Sequence, residues 1–296
     1  MDKNTIYNTF IKTMINCSRQ QELSLQIIEA QKNSIITNYK DSIEKNQIDM
    51  PVYKTNFIFY SWENNQGINY GKRNTTIYEL WEDTIFYHNK IYQWLLVTAF
   101  EAYERYLKEI SRIIFEVESI QSASDALKKI RNKYPKYKNL ESKTHVQVDR
   151  EFIEQVFTES IQNEIITENC YSKKYKKIFT KDLNNTFQLT LIQEMRHYIV
   201  HNNGRVENKY EFLKKILRDI GLYNNGKYDK IYEEIVNSYF GRKYPDEITL
   251  LEIPVEEISV FSASTDVLYN LFQVLLNSVY YINKELQLTE MTAISK

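Results

Sequence analysis

The apolar side chains of this 296-residue chain recur mostly at intervals of three and four, the repeat of an amphipathic helix. Between residues 5 and 45 the stripe runs through Ile6, Phe10, Met14 and Cys17, then Leu25, Ile28, Ile35, Tyr39 and Ile43. It is interrupted around Arg19 to Glu22, so the segment reads as one long bent helix or two shorter ones. Met50-Pro51 ends it. From there to Thr75 the sequence alternates loosely (Val52, Phe57, Phe59) and then collects Asn, Gly and Lys, which predicts a loop with a short strand at most. Thr76 to Ile120 is the longest periodic stretch, with Leu95, Ala99, Ala102, Tyr103, Tyr106, Ile110, Ile113, Ile114 and Val117 on one stripe. A shorter helix is expected at Ala123 to Lys133, stopped by Pro135, and a mixed helical stretch from Val148 to Thr167.

The next helix carries Leu183, Phe187, Leu191, Met195 and Tyr198 along one side. Gly204 is placed to close it as a left-handed cap, and Asn202 and Asn203 tolerate the same backbone. Helices follow at Tyr210 to Ile220 and at Lys227 to Phe240, and Ile248 to Leu251 is the best strand candidate. Pro254 opens a final long helix that buries Phe261, Leu268, Leu271, Phe272, Leu275, Val279 and Ile282. The expected fold is all-α, a bundle of long antiparallel helices with at most one or two short strands. Residues 1–75 read as an N-terminal helical extension and 76–296 as the main domain.

Composition strengthens the helical reading. Only 6 Gly and 4 Pro punctuate the chain, too few for the frequent turns of a sandwich or barrel, while 24 Tyr and 14 Phe supply a large core. The formal net charge is −1, so any binding of nucleic acid must rest on local patches. Cys17 and Cys170 are far apart, which argues against a disulfide framework or a zinc cluster. The first residues lack the layout of a signal peptide and no apolar run is long enough to span a membrane, so the expected location is the cytoplasm.

The sharpest chemistry lies in Glu194-Met195-Arg196-His197-Tyr198-Ile199-Val200-His201-Asn202-Asn203-Gly204. It gathers two of the chain's four histidines behind an arginine and ahead of a glycine. Imidazole moves protons near neutral pH, and guanidinium holds a phosphate in a fixed fork. On a straight helix, residues five apart diverge by about 140° around the axis, so Arg196 and His201 converge only if the helix loosens there. His197 and His201, four apart, share a face. That spacing also suits metal ligation, but no Glu follows His197, and His88 and His145 are remote. No metal or other cofactor is expected.

This segment resembles the Arg-polar-x-x-x-His signature of the HEPN superfamily (higher eukaryotes and prokaryotes nucleotide-binding), with His197 in the polar position. Asn202-Asn203-Gly204 continues as many prokaryotic members do. Residues Leu96 to Leu107 resemble that family's earlier core helix, with an acidic residue followed by an aromatic or aliphatic one. The resemblance covers residues 76 to 286 as architecture and is motif-level at 96–107 and 194–204. It implies a HEPN-like helical bundle and a metal-independent endoribonuclease, often a toxin, an abortive-infection protein or a phage-defence effector. It also implies a homodimer whose motifs face each other, sometimes with an antitoxin or another defence-system partner. Some relatives bind RNA or scaffold without cutting, so a non-catalytic helical module that binds RNA, nucleotide or protein is the rival reading.

The chemistry of RNA agrees. Its 2′-hydroxyl is a built-in nucleophile, so an enzyme needs a base, a cation for the phosphorane charge and an acid for the leaving oxygen. His201 suits the base or acid role, Arg196 the cationic one, and His197 that of a second acid or a substrate contact. Glu104 and Glu101 are both placed to orient Arg196 or a histidine. Glu104 is preferred, at the edge of the buried stripe. Asn202 and Asn203 are candidate RNA contacts beside the histidines. So are Lys173, Lys174, Lys176 and Lys177, in the acid-free cluster 172–181; a second basic cluster with interleaved tyrosines spans 128–143.

Overall fold

A computed structural model describes residues 2–114, 185–223, 226–242, 244–252 and 265–294. The described residues are mostly helical. The elements are α1 (Lys3–Glu44), β1 (Pro51–Tyr60), β2 (Gly67–Thr76), α2 (Ile77–Ile114), α3 (Asn185–Asn202), α4 (Lys209–Asp219), α5 (Ile231–Asn237), β3 (Leu251–Glu252), β4 (Thr265–Asp266) and α6 (Leu268–Ile294). The helices expected at 123–133 and 148–167, both basic clusters, and Phe261 lie outside the described residues. Among the described residues, no helix is long and apolar enough to cross a membrane.

The chain forms two compact units. One comprises Met1–Ser18, Leu95–Ile248 and Tyr269–Lys296; the other comprises Arg19–Trp94 and Thr249–Leu268. The boundaries fall inside α1 and α2, so this division differs from a cut at residue 75.

In the first unit, α1 contributes Ile6, Phe10, Met14 and Cys17 to the core, all at most 3% exposed. Phe10 meets Tyr106 of α2 with ring centroids 5.7 Å apart. The α2 stripe runs on through Ala99, Tyr103, Leu107 and Ile110, and α6 adds Leu271, Leu275, Val279 and Ile282. Burying a side chain of that size contributes about 1.5–3 kcal/mol. The phenol of Tyr103, wholly inside, is satisfied by Ser278 Oγ at 3.0 Å. Further rings join α3 to its neighbours: Phe187 lies 4.6 Å from Tyr232, and Tyr198 lies 5.3 Å from Phe212 of α4.

In the second unit, α1 runs without interruption through Arg19 to Glu22, and its one non-helical backbone geometry is at Tyr39. The apparent break in the stripe is chemical, because the buried positions continue as Gln21, Ser24, Ile28, Lys32 and Ile35. Gln21 Nε2 donates to Asp266 Oδ2 at 2.7 Å. Ser24 Oγ and His88 Nδ1 are hydrogen-bonded at 2.6 Å, and His88 Nε2 lies 3.2 Å from Gln31 Oε1. α2 opens with a reciprocal cap: the Glu79 N–H donates to Thr76 Oγ1 at 3.1 Å, and the Thr76 N–H donates to Glu79 Oε2 at 2.8 Å.

Two expectations need correction. The segment after Pro51 is a hairpin of two ten-residue antiparallel strands, more strand than a loop with one short strand. The loose alternation understates its length because almost every residue of β1 is exposed, so no apolar-in, polar-out pattern marks the full strand. Nor does the last helix open at Pro254. Thr265 and Asp266 pair with Glu252 and Leu251 in an extended ladder, and the Leu268 N–H donates to Asp266 Oδ1 at 3.1 Å where α6 begins. The adjoining Leu250 and Leu251 N–H groups both donate to Asn89 Oδ1 of α2, at 2.8 and 3.3 Å.

Candidate functional site

α3 buries Phe187, Leu189, Leu191, Ile192, Met195 and Ile199, and that buried face fixes the direction of the rest. Glu194, 5% exposed, would be costly inside without a partner. Lys215 Nζ of α4 supplies one at 2.6 Å. Arg196 is half-buried, and its Nη2 donates to Glu101 Oε1 of α2 at 3.3 Å. Its Nε is buried and has no hydrogen-bond partner among the described atoms. His197 and His201 stand on the exposed side, their ring centroids 4.6 Å apart at an interplanar angle of 51°.

The helix remains regular through Asn202, so the loosening expected around His201 is absent. The chain reverses after that residue, at Asn203 and Gly204, whose φ angles are 54° and 81°. Gly204 takes a left-handed conformation that a side chain would strain, as a closing residue there requires. Its N–H donates to the Tyr198 carbonyl at 3.0 Å, and its own carbonyl accepts from the Ile248 N–H at 2.9 Å. The Val206 N–H donates to the Asp246 carbonyl at 2.7 Å, and Arg205 bridges Glu247. The helix end is thereby pinned to residues 246–248.

Of the two acidic candidates on α2, Glu101 is the one that reaches Arg196. Glu104 also faces that charge. It is exposed as a residue, but desolvation around its carboxyl pushes its pKa up, Arg196 pulls it down, and Glu101 pushes it up further. Helical spacing alone could not separate the two acids, because both lie on the same side of one helix. Asn202 and Asn203 are exposed beside His201, and Lys173, Lys174, Lys176 and Lys177 lie outside the described residues.

No group of three or more His, Cys, Asp and Glu that could hold a metal occurs among the described residues. What the arrangement offers is two neighbouring imidazoles open to solvent and a guanidinium held by a carboxylate, on an anchored helix end. Ser24 and His88, a pair that no local sequence pattern reports, are closed to solvent at 3% and 1% exposed, while Gln31 reaches the ring from an exposed position. The chain matches no protein-family model, no curated protein and no solved structure.

Proposed function

We propose that this chain is a metal-independent endoribonuclease of the HEPN type, acting on RNA in the cytoplasm as a toxin, abortive-infection protein or phage-defence effector. The observation that carries the reading is the exposed His197–His201 pair, 4.6 Å apart, next to an arginine gripped by Glu101. One imidazole takes the 2′-hydroxyl proton while the 2′-oxygen attacks phosphorus. The P–O5′ bond breaks, and the other imidazole gives its proton to the departing oxygen. Products carry a 2′,3′-cyclic phosphate and a 5′-hydroxyl. His201 serves as base or acid with His197 as its complement, and Arg196 offsets the charge of the phosphorane. Glu101 steadies Arg196, and Glu104 tunes the field around it. Under this reading α2, α3 and α6 of the first unit belong to an all-α HEPN-like bundle, and the hairpin is an addition to it.

A regular helix turns Arg196 and His201 about 140° apart, so one chain does not present both squarely to a single phosphate. A homodimer resolves this. Across a two-fold axis the arginine of one copy faces the histidines of the other, with Asn202 and Asn203 lining the cleft. The test is incubation of purified protein with total RNA in EDTA, beside His201→Ala. Loss of intact RNA with the parent protein and not with the variant supports the reading. No loss with either leaves a non-catalytic binding module.

A further inference from the structure

We infer that His197 and His201 form a chelating site for a divalent transition-metal ion of the zinc type, and that the bound ion holds cleavage off. The metal site stands on geometry alone, whereas its inhibitory role rests on the ribonuclease reading. α3 stays regular through Asn202, so the two residues keep the four-residue spacing that places both rings on one helix face. The same spacing supplies the paired zinc ligands of helical metal sites. Both side chains are exposed, and their ring centroids lie 4.6 Å apart.

That separation matches a chelate. A zinc–nitrogen bond of about 2.0–2.1 Å puts each ring centre about 3.2 Å from the ion, on the line of the bond. Two such bonds at angles between about 90° and 109° hold the ring centres about 4.5–5.2 Å apart. The pair stands inside that window before any ion arrives. Its interplanar angle of 51° is neither the stacked nor the edge-on arrangement by which two rings attract each other. Position favours a cation as well. His201 lies in the last turn of α3, where the helix dipole presents its negative end. Arg196, the neighbouring cation, is turned to Glu101 of α2. Among the described residues, no third His, Cys, Asp or Glu completes a three-ligand group with the pair. Structural zinc takes four protein ligands and catalytic zinc three, so two make an exchangeable site that fills and empties with the free ion. Hard Mg²⁺, which prefers oxygen, is a poor match for two nitrogens. An ion on the pair ties up the ring lone pair that must accept the 2′-hydroxyl proton. It also competes with the proton that the second ring must donate.

The test is calorimetric titration of the purified full chain with ZnCl₂ alone. The parent should bind zinc, and His197→Gln and His201→Gln should each bind it at least about tenfold more weakly, because one arm of the chelate is lost. Mg²⁺ should not compete. Circular dichroism of each variant establishes that it folds. RNA cleavage by the parent should fall about tenfold when free zinc stands about tenfold above its measured dissociation constant, and EDTA should restore it. Equal zinc affinity in the parent and both folded variants assigns the ion to other residues and overturns the inference. Undiminished cleavage with the pair loaded overturns the inhibitory role. Failure of the ribonuclease reading looks different: the parent would cut no RNA even in EDTA, while zinc would still distinguish it from the variants.

Discussion

His88 and the His197–His201 pair put the same side chain in two opposite settings. His88 is 1% exposed and hydrogen-bonded at both ring nitrogens, by Ser24 and Gln31. A serine beside a histidine resembles a nucleophile and its base, but the pair has no opening to a substrate. Its work is to satisfy polar groups where two helices bury them. His197 and His201 are exposed and adjacent on an anchored helix end, and among the described residues no hydrogen bond to the core engages their ring nitrogens. The contrast teaches that accessibility, more than the identity of the neighbours, decides whether an imidazole is open to a substrate.

The comparison breaks most visibly in kinetics. His201→Ala should reduce RNA cleavage at least about a hundredfold, the usual scale for losing a general acid or base, while the melting temperature changes little. Retained cleavage in a folded variant would remove His201 from the chemistry. The converse substitution should do the converse. His88→Ala leaves buried Ser24 without its partner and opens a cavity, costing about 2–4 kcal/mol of stability, read from urea unfolding. The fraction that remains folded should cleave RNA at the parental rate.

Acidity gives a smaller effect with a definite sign. Desolvation holds the pKa of His88 below its ordinary 6.5, so the unfolded chain takes up the proton first. The stability that neutral His88 contributes is fully present above about pH 6.5 and is lost as pH falls from there through the folded value. Urea midpoints measured from pH 7.5 to 5 should therefore decline on the acid side, and the decline should be shallower in His88→Gln. An equal decline in both proteins would assign it to other groups. The smallest effect is expected at Glu101. Its ion pair with Arg196 is half exposed, so Glu101→Gln should change stability by less than about 1 kcal/mol. It should nevertheless lower cleavage more than Glu104→Gln does; the reverse ranking would make Glu104 the acid that matters.

The helices could be read from the sequence wherever apolar spacing and burial coincide, as from Ile6 to Cys17 and from Leu95 to Ile110. Reading stopped where burial was polar. Gln21 and Ser24 continue the inner face of α1, but their partners, Asp266 and His88, are 245 and 64 residues away, and no local pattern reports them. The hairpin was missed for the opposite reason, since it has strand geometry with neither face shielded. At the candidate site, residue type alone nominated Arg196 and His201. The choice between Glu101 and Glu104 needed the helix phase relative to α3, which comes only from packing. The regular last turn of α3 likewise depended on where the chain reverses, and Asn202, Asn203 and Gly204 all permit that reversal.

Asn203 and Gly204 also set how this protein ages. An asparagine followed by glycine is the pair whose side-chain amide is most readily attacked by the next backbone nitrogen, losing ammonia through a five-membered succinimide. Here that nitrogen must keep its proton, because it donates it to the Tyr198 carbonyl at 3.0 Å. The native fold thus shelters a peptide that the unfolded chain leaves open to slow chemical conversion. Where the shelter fails, the isoaspartate formed would lengthen the main chain by one carbon and set a negative charge two residues from His201. Storage under mildly denaturing conditions would then convert this helix end together with the chain's other Asn-Gly pair, Asn225-Gly226.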